Sequence, residues 1–211
     1  MSLLKIDCID KKTHHMDQLD PLMPRFPCRV LIAGRSNSGK GSLVKNMVSL
    51  ATPAYDKIYI MHYDEKTEEY DDLDPDKIFT IESIPDDWHE CFNRQDKNAL
   101  IIDEINFEGM SKANKGKIDR LTNYCCSHLS ISLFLIQQNF TSVPPCIRRA
   151  MDWYVIYPSV DNESTRYLSR ITGRDIVALK KQHCKTRYDS ICFDMSGDGP
   201  ELRLNLFTPI S

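Results

Sequence analysis

Gly34-Arg35-Ser36-Asn37-Ser38-Gly39-Lys40 places two glycines and a lysine at the spacing G-x-x-x-x-G-K. Glycine at these positions lets the backbone curl until successive N–H groups face one concavity, which suits a phosphate. Lys40 adds a cation that reaches the β- and γ-phosphates of a nucleoside triphosphate. In such loops the next residue is Ser or Thr, whose hydroxyl helps hold magnesium. Here it is Gly41, and Ser42 follows, so the hydroxyl that would serve the metal sits one position late. The phosphate site therefore comprises Gly34, Arg35, Ser36, Asn37, Ser38, Gly39, Lys40, Gly41 and Ser42, with Ser42 a candidate metal ligand.

Two further motifs fit the same chemistry. Ala99-Leu100-Ile101-Ile102-Asp103-Glu104 is an apolar run that ends in two carboxylates. An Asp at the tip of a buried strand reaches a magnesium ion, and the adjacent Glu polarises an attacking water. Ile131 to Ile136 runs into Gln137-Gln138-Asn139. A glutamine at a strand end beside the phosphate loop senses a γ-phosphate or positions water. Either glutamine has the chemistry.

These groups need a rigid frame. Apolar runs of strand length cover residues 28–33, 57–62, 98–103, 129–136 and 153–157, with helices expected over 39–50 and 111–128. Strands alternating with helices predict a parallel α/β sheet covered on both faces. Near the end, residues 188–194 and 202–207 flank Gly197-Asp198-Gly199-Pro200, the punctuation of an antiparallel hairpin. The organisation expected is an N-terminal extension (1–27), a core (28–187) and a hairpin appendage (188–211).

Composition bounds the remaining classes. The chain has 211 residues, is 41 % hydrophobic and 27 % charged, and carries a formal charge of −3, so it is a globular domain and no polycation. A grip on nucleic acid would have to come from local patches. No stretch approaches the roughly 18 apolar residues of a membrane span, and residues 1–20 lack the apolar segment of a secretory signal. An intracellular setting is expected, with the eight cysteines as thiols. Cys125, Cys126 and His128 are adjacent, but neighbouring cysteines do not converge on one tetrahedral metal, and buried thiols on a helix are the expectation. Residues 56–76 hold nine acids against two lysines and read as a solvated loop. Arg148, Arg149, Arg166, Arg170, Arg174, Lys180, Lys181, Lys185 and Arg187 make the later chain basic, a candidate phosphate-facing surface or a solvated helical face.

Taken together, the set resembles the additional-strand, catalytic-glutamate class of P-loop NTPases, and within it the FtsK–HerA superfamily. The likeness is to genome-packaging ATPases of poxviruses, other large DNA viruses and Maverick/Polinton elements. It is carried by RVLIAGRSNSGKGSLVKNMV, ALIIDE, SHLSISLFLIQQNF, VPPCIRRAMDWYVIY and YDSICFDMSGDGPELRLNLF, which span most of the chain from residue 28. The resemblance implies a three-layer fold with strand order 5-1-4-3-2 and a C-terminal antiparallel hairpin. It implies ATP and Mg2+ as cofactors, with Lys40, Glu104 and Gln138 as catalytic residues and Asp103 with Ser42 at the metal. It favours Gln138 because that residue stands just before Asn139-Phe140.

The resemblance further implies a homo-oligomeric ring that drives double-stranded DNA into a capsid, contacts with capsid or portal-vertex proteins, and action at virus assembly sites in the host cytoplasm or nucleus. Such a ring needs an arginine at the transferred phosphoryl group, for which Arg148 and Arg149 are candidates. Gly41 departs from the family's GKT or GKS. Two alternatives stand beside this reading. GKG followed by Ser also suits a nucleotide or nucleoside kinase, although no lid insertion is evident, and the loss of the hydroxyl suits a hydrolysis-deficient nucleotide-binding scaffold. A GTPase is disfavoured because Asn114-Lys115 is followed by Gly116-Lys117 and no base-reading N/T-K-x-D motif is present.

Overall fold

The computed structural model describes residues 23–62, 67–197 and 200–210. The first strand, β1 (Arg29–Ala33), delivers the chain into α1 (Lys40–Ser49). β2 (Lys57–His62), the short β3 (Ile78–Thr80) and β4 (Asn98–Asp103) follow. The chain then forms α2 (Lys112–Arg120), a π-helical turn (Leu121–Cys125) and α3 (Cys126–His128) before β5 (Ile131–Gln137). After α4 (Pro145–Arg149) and β6 (Trp153–Ile156) come α5 (Asn162–Thr172) and α6 (Ile176–His183). Three strands close the described chain: β7 (Ile191–Asp194), β8 (Glu201–Leu204) and β9 (Thr208–Ile210).

One nine-stranded sheet runs in the order β3-β2-β4-β5-β1-β6-β7-β8-β9. The five expected core strands are β1, β2, β4, β5 and β6, and their order is the 5-1-4-3-2 that the resemblance implied. They pair in parallel. From β6 outward the pairing is antiparallel. Alternate residues of each central strand feed opposite layers, which makes the sheet a middle layer. Val30 and Ile32 pack with Val44 and Met47 of α1. Leu31 and Ala33 pack with Ile118, Leu121, Ile147 and Leu168 on the other side.

The structure departs from expectation in four places. β3 adds a parallel strand beyond β2. The C-terminal appendage is a three-stranded meander rather than one hairpin, because β9 pairs with β8; the turn residues Asp198 and Gly199 lie outside the described residues. The helix expected over 111–128 contains a π-helical turn, and Ser111 caps its start by accepting from the Asn114 N–H at 3.2 Å. The acidic segment is only partly solvated, since Tyr70 and Leu73 are buried; Asp64, Glu65 and Lys66 lie outside the described residues. Most of the expected N-terminal extension, including Cys8, is also outside them, although Met23 and Phe26 are buried in the α1 layer. Cys125 and Cys126 are buried at the π turn and α3, and His128 stacks on Tyr124 at 4.1 Å. Among the described residues no helix is long and apolar enough to cross a membrane.

Candidate active site

The register places the chemistry at one edge. His62 pairs with Asp103, Asp103 with Ile136, and Ala33 with Gln137, so the C-terminal tips of β2, β4, β5 and β1 are level. Crevices outside the carboxyl ends of parallel strands are where such sheets bind ligands. A cleft of about 520 Å³ opens there, lined by Ser36, Asn37, Gly39, Lys40, Gly41, Ser42, His62, Glu69, Asp103, Glu104, Ile136, Arg187 and Tyr188.

The loop from Gly34 to Gly39 is held from beneath. The Gly34 N–H donates to the Gln137 carbonyl at 3.3 Å, and the Arg35 N–H to Ser159 Oγ at 3.0 Å. The buried Tyr157 hydroxyl donates to the Gly39 carbonyl at 2.9 Å. Gly34 is required by close approach: a Cβ there would lie 2.8 Å from both Ser38 Oγ and Tyr157 Cβ. Gly39 has φ 95°, a left-handed conformation that costs other residues about 1–2 kcal/mol. Gly34, Arg35 and Ser38 support the loop without lining the cleft.

Lys40 opens α1 and is 7 % exposed. Its Nζ donates to the Arg35 carbonyl at 3.2 Å and pairs with Glu104 Oε1 at 3.3 Å. Glu104 adopts φ 52°, so the chain leaves β4 through a left-handed residue and its carboxylate swings toward the lysine. Gln138 Nε2 donates to the other oxygen, Glu104 Oε2, at 3.4 Å. Gln137 faces inward instead; its Oε1 accepts from Ser142 at 3.4 Å. Of the two glutamines, Gln138 is the one that meets Glu104.

Asp103 is 4 % exposed and accepts from the Tyr70 hydroxyl at 2.6 Å. Burial holds the Asp103 carboxyl above the usual carboxylate range, and the Tyr70 hydrogen bond opposes that shift. Burial also pushes the Tyr70 phenol far up, assisted by the neighbouring Asp103, so it stays a donor. His62 Nε2 stands 3.9 Å from Asp103 Oδ2. A divalent cation suits this end of the cleft, where carboxylate oxygens and an imidazole converge beside Lys40.

Arg148 and Arg149 do not line this chain's own cleft. They lie on α4, just before the chain enters β6 at the opposite edge, where the Asp152 N–H donates to the Arg29 carbonyl. The Arg148 guanidinium stacks on Tyr167 at 4.5 Å. Arg174 lies in the turn between α5 and α6, off the helix face shared by Arg166 and Arg170. The arginine that does line the cleft is Arg187, whose guanidinium lies over the Tyr188 ring at 4.6 Å and bonds the Tyr188 hydroxyl. In the sequence Arg187 stands only within a general basic stretch, and His62, Glu69, Tyr70 and Tyr188 belong to no motif that marks them as site residues. The signal available for His62 was its position at a strand tip beside Asp103.

No protein-family model matches the chain, and no curated protein does. Solved structures do. The genome packaging NTPase B204 from Sulfolobus turreted icosahedral virus 2, in complex with ATPγS, aligns with TM-score 0.60 at 15 % identity over 84 % of this chain and 96 % of that one. B204, the DNA-packaging ATPase from Sulfolobus turreted icosahedral virus, aligns with TM-score 0.60 at 18 % identity over 88 % and 99 %. The likeness at this identity is one of architecture: the chain adopts the P-loop NTPase fold with antiparallel strands appended to one edge of its parallel sheet.

Proposed function

We propose that this chain is an ATP-hydrolysing motor that translocates double-stranded DNA into a viral capsid. The observation that carries the reading is that Lys40, Asp103 and Glu104 line the phosphate-loop cleft, with Lys40 paired to Glu104 and Gln138 bonded to the other Glu104 oxygen. The packaging NTPases of matching architecture support it.

In this account the loop amides and Lys40 take the triphosphate, and Lys40 leaves Glu104 for the phosphate oxygens. The freed Glu104 carboxylate accepts a proton from the attacking water, whose position Gln138 fixes. Asp103 would hold a divalent cation, which when bound would neutralise charge on the phosphates. Arg187 and Tyr188 close the rim. The DNA grip belongs to a ring of copies, because a single chain with a charge of −3 offers only small basic patches. Backbone contacts of that kind weaken with salt and read no sequence. The ring works at assembly sites inside the host cell, with the capsid vertex as its partner.

The pairing of Glu104 with Lys40 and Gln138 suits water activation better than transfer to a nucleotide, which places the kinase alternative second. Phosphate release measured with and without double-stranded DNA, and with AMP as acceptor, separates the readings. DNA-stimulated release supports the motor. Phosphorylated acceptor would establish the kinase, and ATP binding without turnover under any condition would establish the scaffold.

A further inference from the structure

Loops of this kind place a hydroxyl directly after the lysine to hold the metal, and this chain has Gly41 there. Ser42 does not restore it in the same direction: one residue along a helix is a rotation of about 100°. The space beside Gly41 is filled by another residue. A Cβ built on Gly41 would stand 1.8 Å from Glu69 Oε1 and 2.7 Å from Glu69 Cδ. The Glu69 carboxylate therefore occupies the volume in which the side chain of residue 41 would lie. Among the described residues, His62, Glu69 and Asp103 each bring one donor atom into a group whose members are within 4.8 Å of one another. All three line the cleft that also holds Lys40.

We propose that His62, Glu69 and Asp103 together form the divalent-cation site of this chain, with Glu69 replacing the hydroxyl that Gly41 lacks. The proposal rests on the reading of the cleft as a nucleoside-triphosphate site. The bare backbone at residue 41 leaves room for the Glu69 carboxylate, which would have to swing aside to admit a side chain there. The donor set also differs from an all-oxygen one. Mg2+ favours carboxylates, phosphates and retained water, whereas an imidazole nitrogen suits first-row transition ions. This site therefore binds a first-row transition ion, for which Mn2+ serves as the probe, in preference to Mg2+.

The test is Mn2+ binding by the full chain, read from loss of the free-ion electron paramagnetic resonance signal, with Mg2+ as competitor. It is run without nucleotide and with a non-hydrolysable ATP analogue. The wild-type chain binds Mn2+ in both conditions. Glu69→Gln and His62→Ala each weaken Mn2+ binding by at least about tenfold, the effect expected when a metal-site group is lost, and His62→Ala narrows the preference over Mg2+. Gly41→Ser leaves His62 and Asp103 in place but drives Glu69 aside; it shifts the preference toward Mg2+ and makes Glu69→Gln nearly silent. Mn2+ affinity unchanged within twofold in both ligand variants, or Gly41→Ser leaving the Mn2+ to Mg2+ ratio untouched, overturns the proposal. A fluorescent ATP analogue titrated in EDTA reads the cleft separately. Failure of the wild-type chain to bind it sinks the nucleotide reading, whereas binding that persists alongside unaltered Mn2+ affinity in the variants sinks the cation site alone.

Discussion

Tyr70 donates to Asp103 Oδ2 across 2.6 Å, tying the buried carboxylate at the tip of β4 to a segment 33 residues earlier. The segment is rich in acids, and it is this buried tyrosine, with Leu73, that anchors it against the sheet. Tyr70→Phe keeps the ring and removes the donor. A hydrogen bond to a charged group contributes about 1.5–3 kcal/mol, so the variant should unfold at lower urea concentration by a corresponding amount with an unchanged m-value. An unaltered midpoint would mean that water replaces the hydroxyl at no cost.

Lys40 and Glu104 are paired at 3.3 Å but have separate roles in the proposed cycle. Lys40→Ala is expected to abolish binding of an ATP analogue. Glu104→Gln leaves analogue affinity within a few-fold of wild type and lowers turnover by about 10²–10⁴, the usual contribution of a general base. Equilibrium binding and single-turnover hydrolysis separate the two. Normal turnover by Glu104→Gln would remove Glu104 from the chemistry.

Two glycine substitutions should act with opposite sign. Gly34→Ala sets a Cβ 2.8 Å from Ser38 Oγ and Tyr157 Cβ, beneath the phosphate loop. Overpacking of this kind costs about 1–3 kcal/mol, and the displaced loop also loses nucleotide affinity. Gly116 lies within α2 with nothing within 4 Å of its would-be Cβ. There Ala stabilises by about 0.5–1 kcal/mol through helix propensity. Thermal melts of the two variants, with and without an ATP analogue, check both signs.

Burial pushes the Cys28 and Cys192 thiols up from 9.0 to about 12. In unfolded chain they ionise near 9.0, so between that pH and about 12 the folded state binds more protons. Stability should fall as pH rises through this window. Under native conditions at pH 8, Cys146, which is exposed, should react with iodoacetamide well before Cys28, Cys126 or Cys192. Site-resolved mass spectrometry reads the order. Equal labelling of Cys28 and Cys146 would contradict the burial argument.

The motifs with a fixed spacing were legible because their geometry is local. The loop 34–42 and the run 99–104 stand where strand–loop–helix and strand-tip patterns placed them. β3 was not legible, being three residues long with two of them exposed. β9 carries Pro209, which is tolerated on an edge strand but erases the strand signal. Glu69 and Tyr70 were obscured by the acids around them, since charge density points to solvent and says nothing of one buried tyrosine. Arg187 and Tyr188 reach the cleft only because the chain returns past the loop after α6, a long-range consequence of topology. Arg148 and Arg149 are close to Gln138 along the chain, but α4 intervenes and neither lines this chain's own cleft.

Translocation itself is most directly read by displacement of a third strand from a DNA triplex, followed with the full chain, ATP and a divalent cation. The motor reading predicts ATP-dependent displacement by the wild-type chain, lost in Glu104→Gln and reduced as salt is raised. Steady ATP hydrolysis by the same preparation with the third strand left in place would contradict it.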